Sequence, residues 1–282
     1  DIRAAYTAAL DAGLAGTSAS RVHATLSSMM KAAALDGHTI PAGAREQSGP
    51  SLNESPAKEI PLPDALKILA AARARPDYSR WMAAFLQGMR PAECLGLTWG
   101  AVDFEYSTIT VEWQLKRLPY KKRGDPTSGF RVPRATKMVP LIGAYHLVRP
   151  KTASGRRVIP MLPWMADALR EWKRAQDEVG GSPFGLVWPR ADGLPGLDKR
   201  DRAAWRAILV EAGLAPDAYR LYDVRHTTAS ILARLGVPEH IITMVMGHAS
   251  IISTEAYLHV TMEDAVKALT GVGEHLRLGD GG

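Results

Sequence analysis

Four side chains have types needed to break a phosphodiester bond: Arg90, Arg225, His248 and Tyr257. A phenol has a pKa of about 10 and is a nucleophile only when its surroundings help it to lose a proton. Guanidinium forks stabilise the negative charge that builds on the non-bridging oxygens of a phosphate under attack. A lysine beside the leaving 5′ oxygen is suited to donate the proton which that oxygen needs. An attack by Tyr257 on a DNA phosphate would need such a set.

Each of these residues also has a structural interpretation when it is taken singly. Arg90 lies in the apolar stretch GMRPAECLGLTW, three residues before Glu93, and an ion pair between the two would explain both. Arg225 opens a predicted helix, where a cation faces the positive end of the helix dipole. A bound phosphate would compensate that charge, and so would Asp223. A lone histidine or tyrosine is more often part of the packing than of a catalytic site.

The composition restricts the other chemistry that is available. The 282 residues contain one cysteine, Cys94, and no HExxH or EF-hand pattern. We therefore expect no disulfide, no metal site and no cofactor. The sequence has no apolar run long enough to span a bilayer and no signal peptide, so a membrane is not expected as a partner. The chain starts at Asp1, and we expect its natural start to lie upstream.

Positive charge is concentrated between Gln114 and Arg157. This segment holds twelve lysines and arginines and one acid, Asp125, although the net charge of the whole chain is only +6. A basic block on a mildly acidic body predicts a surface that binds a polyanion, although a solvated basic loop would have the same composition. The candidate DNA-binding residues are Lys116, Arg117, Lys121, Lys122, Arg123 and Arg156.

Hydrophobic periodicity, with glycine and proline at the boundaries, predicts a mainly α-helical chain with a small antiparallel β-sheet. The predicted helices cover residues 4–13, 18–37, 64–74, 80–88, 91–97, 163–180, 199–213, 223–236, 238–247 and 253–260. STITVEWQL (residues 107–115) and RRVIPML (residues 156–162) alternate as strands. The basic block between them is predicted to be an extended or irregular insertion.

Three regions are predicted along the chain. Residues 1–45 form a partial helical domain, because two short helices cannot bury a core of their own. Residues 46–61 form a linker rich in proline, serine and charged residues. Residues 62–282 form the larger domain. Its tail, MEDAVKALTGVGEHL, is predicted to be a helix that docks either on a neighbouring protomer or on its own domain.

Four stretches, in this order, resemble the motifs of the tyrosine recombinase (phage integrase) family. GMRPAECLGLTW resembles the first-arginine box, RPKTASGRR the lysine hairpin, YDVRHTTASILARLGV the second-arginine box and MGHASIISTEAYLHV the terminal box. The resemblance covers roughly residues 60–265. It assigns catalytic roles to Arg90, Lys151, Arg225, His248 and Tyr257 and a supporting role to Glu93, and it places Ser154 and Arg156 in the usual pattern beside the lysine.

One position departs from the family pattern. Tyr222 stands three residues before Arg225, where the family usually has a histidine that binds the phosphate or helps to manage the nucleophile's proton. A phenol donates to a phosphate oxygen but is a poor base at neutral pH, so we interpret Tyr222 as a supporting phosphate ligand. His226 leaves a helix about 100° away from Arg225 and is predicted to be structural.

The resemblance implies a site-specific recombinase that cleaves and rejoins DNA through a 3′-phosphotyrosyl intermediate, without metal or ATP, to integrate or excise a mobile element. The implied partners are double-stranded DNA at attachment sites, further copies in a homotetramer on that DNA, and accessory DNA-bending or directionality factors. The implied location is the cytoplasm of a bacterial host, on the nucleoid. The helical fragment would be the end of the family's core-binding domain, which clamps DNA opposite the catalytic domain.

Two other functions remain open at this point. A topoisomerase-like enzyme shares the chemistry but reseals the same strand, although the terminal box resembles integrases more closely. A DNA-binding protein that has lost catalysis would explain Tyr222, but it would have no need of the other five residues. Covalent trapping on DNA separates this binding protein from both enzymes, and recombination between two sites separates the two enzymes.

Overall fold

The computed structural model describes residues 2–13, 16–45, 59–150, 155–196, 198–247 and 262–276. The chain divides into two compact units, residues 1–57 and 58–282. The predicted linker, residues 46–61, lies almost wholly outside the described residues.

The first unit is helical. It contains α1 (Ile2–Asp11), α2 (Gly16–Leu35) and the short α3 (Ala42–Arg45). Helices α1 and α2 contact each other, but Met29 and Leu35 of α2 are exposed over 62% and 89% of their surface. An isolated helix pair leaves apolar side chains uncovered in this way because it has too little surface with which to enclose them.

The second unit is built from helices around two small sheets. Its helices are α4 (Leu62–Arg73), α5 (Tyr78–Leu86), α6 (Pro91–Leu95), α7 (Pro163–Glu178), α8 (Asp198–Glu211), α9 (Asp223–Arg234), α10 (Glu239–Met246) and α11 (Met262–His275). Helix α5 is buried from Ser79 to Leu86 and contributes to the core. Trp81 and Phe85 of α5 pack on Trp205 of α8, with ring centroids 6.2 and 6.1 Å apart.

Both sheets have three strands and are antiparallel. The strands are β1 (Val102–Asp103), β2 (Thr108–Val111), β3 (Gln114–Arg117), β4 (Met138–Ile142), β5 (Tyr145–Val148) and β6 (Arg157–Pro160). One sheet has the order β1-β2-β6 and the other β3-β5-β4. The prediction of a mainly helical fold with small antiparallel sheet structure is confirmed.

The sheets correct the prediction in two places. The predicted strand 107–115 is two strands, because the chain leaves the first sheet after Val111 and joins the second at Gln114. The basic block is not one irregular insertion, since β3, β4 and β5 form a sheet within it. Pro140 lies in β4, an edge strand, next to a register shift, and there its missing N–H is tolerated.

The C-terminal tail forms a helix, as predicted, and it packs on its own unit. Ala265, Leu269 and Val272 of α11 are buried in the same core as helices α5 and α9. Within the described residues, no helix has the length and apolar character of a membrane span. The predicted helix 253–260 lies outside the described residues.

Candidate active site

Arg90 is held by the start of α6. Pro91 occupies the first helical position, which suits its fixed φ, and Arg90 before it is extended, with φ −69° and ψ 149°. Glu93 then turns back on the helix start. Its Oε2 accepts the backbone N–H of Arg90 at 2.9 Å, and its Oε1 accepts Nη1 of Arg90 at 2.6 Å. The ion pair considered from the sequence is therefore present, and it orients the Arg90 side chain.

Glu93 also binds a second arginine that is remote in the sequence. Arg157, the first residue of β6, donates from Nη2 to Oε2 of Glu93 at 2.9 Å and from Nη1 to Oε1 at 3.3 Å. The side chains of Glu93 and Arg157 are 0% and 4% exposed. Burial alone would raise the pKa of Glu93, but the charge and hydrogen bonds of Arg157, together with Arg90, outweigh it and lower that pKa.

Arg225 lies in the first turn of α9 and is 2% exposed. It donates from Nη1 to the carbonyl of Gly88 and from Nη2 to the carbonyl of Met246. Asp223, which the sequence offered as its partner, binds Arg220 instead, with Nη2 of Arg220 3.2 Å from Oδ1. Among the described residues, Nε of Arg225 has no hydrogen-bond partner.

The three arginines meet at the C-terminal end of α10. The last carbonyls of a helix lack partners within it and carry the negative end of its dipole. The three carbonyls of residues 245–247 each accept from a different arginine. Nε of Arg157 lies 2.8 Å from the first, Nη2 of Arg225 binds the second, and Nη2 of Arg90 lies 2.7 Å from the third. The three arginines therefore bind the backbone immediately before His248, where the terminal motif continues.

This arrangement leaves an excess of positive charge. Within the described residues three guanidinium groups surround one carboxylate, Glu93. Burial, with repulsion from Arg90 and Arg157, lowers the pKa of Arg225 to about 9, so the group stays charged at pH 7. An anion placed here would offset the cost of burying that cation. The site therefore favours a bound anion.

Two glycines make the contact between these elements close. Gly88 has φ +56°, and a Cβ on it would lie 2.4 Å from Sδ of Met246. Gly247 ends α10 in the left-handed conformation, with φ +61°. Without these conformations the two carbonyls that hold Arg225 and Arg90 would be displaced.

Tyr222 occupies the N-cap position of α9, three residues before Arg225, and is 45% exposed. Its ring packs edge-to-face on His226, with centroids 5.0 Å apart. Burial lowers the pKa of His226, against the opposing effect of Asp223. This packing fits the structural role predicted for His226, and it leaves the Tyr222 ring partly accessible.

Several predicted site residues lie elsewhere. Lys151, Ser154, His248 and Tyr257 are outside the described residues. Lys116 and Arg117 lie on β3, whereas Lys121, Lys122 and Arg123 are exposed in the loop after it. This loop is closed by stacking of Tyr120 on Phe130, with centroids 5.1 Å apart. Arg156 is half exposed and lies directly before β6.

Sequence reasoning missed Arg157, which it counted only as part of the basic block. The sequence of β6 gave only part of the signal, because Val158 and Ile159 are both apolar and only the structure shows that Arg157 shares the buried face with Ile159. A charged residue in phase with buried apolar ones needs a partner of opposite charge. Glu93 is that partner, 64 residues away.

Comparison with known proteins agrees with this fold. The Phage integrase family matches residues 60–264, and the chain belongs to that family. It is 24% identical to an integrase of Saccharopolyspora erythraea, over 90% of this chain and 66% of that one. It is 26% identical to a XerC-like tyrosine recombinase of Caldanaerobacter subterraneus subsp. tengcongensis, over 72% of this chain and 50% of the relative. The chain thus spans about half to two thirds of the length of these relatives. The resemblance seen in the four motifs is confirmed.

Two solved structures show the same fold. The Tn1549 transposon integrase in complex with transposon right end DNA superposes with a TM-score of 0.70, at 19% identity, over 94% of this chain and 82% of that one. A lambda integrase tetramer bound to a Holliday junction gives a TM-score of 0.60, at 17% identity, over 91% of this chain and 62% of that one.

Proposed function

We propose that the chain is the catalytic part of a site-specific tyrosine recombinase. Such an enzyme cuts and rejoins DNA through a 3′-phosphotyrosyl intermediate to integrate or excise a mobile element. The observation that carries this proposal is the cluster of Arg90, Arg157 and Arg225 at the end of α10, with Glu93 as its counter-ion. These arginines bind the backbone directly before the motif that contains His248 and Tyr257. Membership of the phage integrase family supports the same conclusion.

The proposed roles combine this geometry with what the family resemblance implies for each residue. Arg90 and Arg225 clamp the non-bridging oxygens of the scissile phosphate, where negative charge grows during the attack. His248 and Tyr222 donate further hydrogen bonds to those oxygens. The Tyr257 oxygen forms the new bond to phosphorus, the bond to the 5′ oxygen breaks, and Lys151 gives that oxygen its proton. The phosphotyrosyl bond conserves energy, so a 5′-hydroxyl reseals the strand without ATP.

The basic residues of β3 and the following loop bind the duplex in this proposal. Lys121, Lys122 and Arg123 are exposed on a loop closed by aromatic stacking, and such residues contact phosphates largely without reading sequence. Residues 1–45 act as the end of a core-binding domain joined by the linker 46–61, and residues 62–282 act as the catalytic domain with its tail.

The assembly follows from the reaction. Exchange of strands between two duplexes needs four cuts, and we infer a homotetramer on double-stranded attachment-site DNA, with accessory bending or directionality factors as further partners. The structure of a related lambda integrase is that of a tetramer on a Holliday junction. This activity places the protein on the nucleoid in the cytoplasm of a bacterial host.

A covalent trapping experiment tests the proposal. A nicked duplex carrying the sequence that flanks the gene would be incubated in EDTA with the full-length protein and with Tyr257→Phe, and the products run on denaturing gels. We expect a protein–DNA adduct with the unchanged protein alone. Intact DNA binding without an adduct would instead identify a non-catalytic binding protein. Resealing of the cut strand without exchange between two sites would identify a topoisomerase-like enzyme.

A further inference from the structure

A cavity of about 180 Å³ lies between α5, α8 and residues 188–196, which connect α7 to α8. Among the described residues that line it, none is Arg90, Glu93, Arg157 or Arg225, so it is separate from the arginine cluster. One water molecule needs only about 10–15 Å³ of such a cavity. The space is therefore large enough for a small organic molecule.

Arg80 of α5 lies in the wall of this cavity with two N–H groups that are not used inside the protein. Its side chain is 2% exposed, and its Nη2 lies 2.7 Å from Oδ2 of Asp201, which is 6% exposed. Within the part of the chain that the structure describes, Nε and Nη1 of Arg80 have no hydrogen-bond partner. Buried polar groups nearly always have a partner, so these two donors indicate an occupant that accepts hydrogen bonds.

Two more buried donors line the same cavity. Nε of Arg190 and Nε1 of Trp81 also have no hydrogen-bond partner among the described residues, and Oδ1 of Asp77 is the one lining acceptor in that condition. Two N–H groups of Arg80 and one each of Arg190 and Trp81 thus face a single acceptor. Water donates as well as accepts, whereas a carboxylate only accepts. The excess of donors therefore favours an anionic oxygen group over water.

The charge of the lining points the same way. Three arginines and two aspartates line the cavity, since Arg200 of α8 joins Arg80 and Arg190, and Asp77 joins Asp201. A planar guanidinium is suited to bind a carboxylate through two parallel hydrogen bonds. The net positive charge favours an anion in contact with the arginines.

The remainder of the wall is aromatic and apolar. Trp81, Trp172 and Trp188 line it together with Leu95 and Ala204. Indole rings pack well on a flat apolar group, either stacked or edge-to-face. The cavity thus combines donors for an anionic group with surface for an aromatic ring.

We propose that this cavity binds a small aromatic carboxylic acid, and this proposal does not depend on the proposed function. The carboxylate accepts hydrogen bonds from Arg80 and Arg190, and the ring packs on the three tryptophans. Leu95 lies two residues after Glu93 on α6. The bound acid therefore contacts the short helix that carries the carboxylate of the arginine cluster.

Benzoate is the probe, and NMR is the measurement. The ¹⁵N-labelled full chain is titrated with benzoate while the indole N–H resonances are followed, after each has been assigned with a single Trp→Phe variant. Acetate and benzamide are titrated in parallel. Acetate has the carboxylate without the ring, and benzamide has the ring without the charge.

Two pairs of variants locate the binding. Ala204→Met places a longer side chain in the cavity, and Ala203→Met makes the same change at the exposed neighbouring position of α8, which does not line it. Arg200→Gln removes a charge from the rim. Arg206→Gln removes the same charge from an exposed position of α8 that does not line the cavity.

Benzoate should shift the indole resonances of Trp81, Trp172 and Trp188 and leave that of Trp113, which does not line the cavity, in place. The shift of Trp81 should be the largest, because its N–H gains an acceptor. Acetate and benzamide should each have a dissociation constant at least about tenfold higher than that of benzoate, since each lacks one half of the interaction.

Ala204→Met should abolish these shifts, and Arg200→Gln should raise the dissociation constant of benzoate about two- to fivefold, because an exposed charge is screened by solvent. Arg200→Gln tests the site even if Ala204→Met does not fold, since its side chain is exposed. Ala203→Met and Arg206→Gln should bind benzoate as the unchanged protein does.

Four outcomes would overturn the proposal. The first is the absence of any shift of the three indole resonances at the solubility limit of benzoate. The second is equal binding of benzamide, which would show that no anion is recognised. The third is equal binding of acetate, which would show that the tryptophans recognise no ring. The fourth is unchanged binding in a folded Ala204→Met, or an equal shift of Trp113, because either would place the probe outside the cavity.

Discussion

Replacement of Glu93 by glutamine tests whether one buried carboxylate holds the site together. The side chain is 0% exposed and binds both Arg90 and Arg157, and Arg157 is itself 4% exposed. Glutamine keeps the size and one acceptor oxygen but removes the charge. A buried guanidinium then remains without a counter-ion, and an NH2 group replaces one of the two oxygens that each accept from both Arg90 and Arg157.

The expected loss is large. Removal of one partner from a buried ion pair costs about 3–5 kcal/mol, and the remaining amide oxygen suggests the lower end, about 3 kcal/mol. For a domain of this size, each kcal/mol lowers Tm by about 2–4 °C, so we expect a fall of about 6–12 °C. Cleavage should also slow at temperatures where the variant is fully folded, because Arg90 is no longer held toward the phosphate.

The pH dependence of the unfolding free energy is a second, independent test of the role of Glu93. The pKa of Glu93 is lowered in the folded protein from its ordinary value of 4.5. Its contribution to stability is therefore complete above about pH 4.5 and is lost as the pH falls further, toward the folded pKa. The difference in unfolding free energy between the unchanged protein and Glu93→Gln should be greatest at neutral pH and should shrink on acidification below pH 4.5.

Urea unfolding at a series of pH values measures this difference, with Glu105→Gln as the control for removal of an exposed acid. A Glu93→Gln protein as stable as the unchanged one at pH 7 would refute the reasoning. So would a stability difference that stayed constant from pH 7 to pH 3, because it would show that the charge is not what stabilises the fold.

Three further predictions concern the surroundings of the site. Tyr222→Phe should slow single-turnover cleavage only modestly, since the ring is 45% exposed, whereas Arg225→Ala should abolish it; equal losses would contradict this ranking. Gly88→Ala should lower the unfolding free energy by about 1–3 kcal/mol, because a residue with φ +56° is strained and its Cβ meets Met246. It should also slow cleavage. An unfolding free energy in urea equal to that of the unchanged protein would show that the contact between residue 88 and Met246 is not tight. Lys122→Ala should weaken DNA binding equally for all sequences and reduce the slope of log affinity against log salt by about 1, so an unchanged slope would remove this residue from the interface.

The local parts of the site could be predicted from the sequence. Arg90 and Glu93 lie at the start of one short helix, and their spacing alone brings the carboxylate back to the arginine. Helix boundaries also followed from local signals, because Pro91, Pro163 and Pro238 each stand at or beside a helix start and Gly247 stands after a helix end. The order of the four motifs was sufficient to indicate the family.

The sheet around the basic segment could not be predicted in the same way. Strands β3, β4 and β5 are short, and Pro140 and many charges interrupt the alternation that identifies a strand. The pairing of β3 with β5 is decided by contacts between residues about 30 positions apart, such as Leu115 and Leu147, which no local pattern records.

The sequence by itself determined which residues have the chemistry for attack on a phosphate, because that chemistry depends on the residue types and their order. Only the tertiary structure decided that Arg157, and not its neighbour Arg156, joins Glu93. Successive side chains of a strand point to opposite faces, so a pair of adjacent arginines is ambiguous until the register is known. The structure likewise decided that the end of α10 meets the start of α6 and the first turn of α9. That meeting depends on packing between helices distant in the chain, and it brings three separated arginines to consecutive carbonyls.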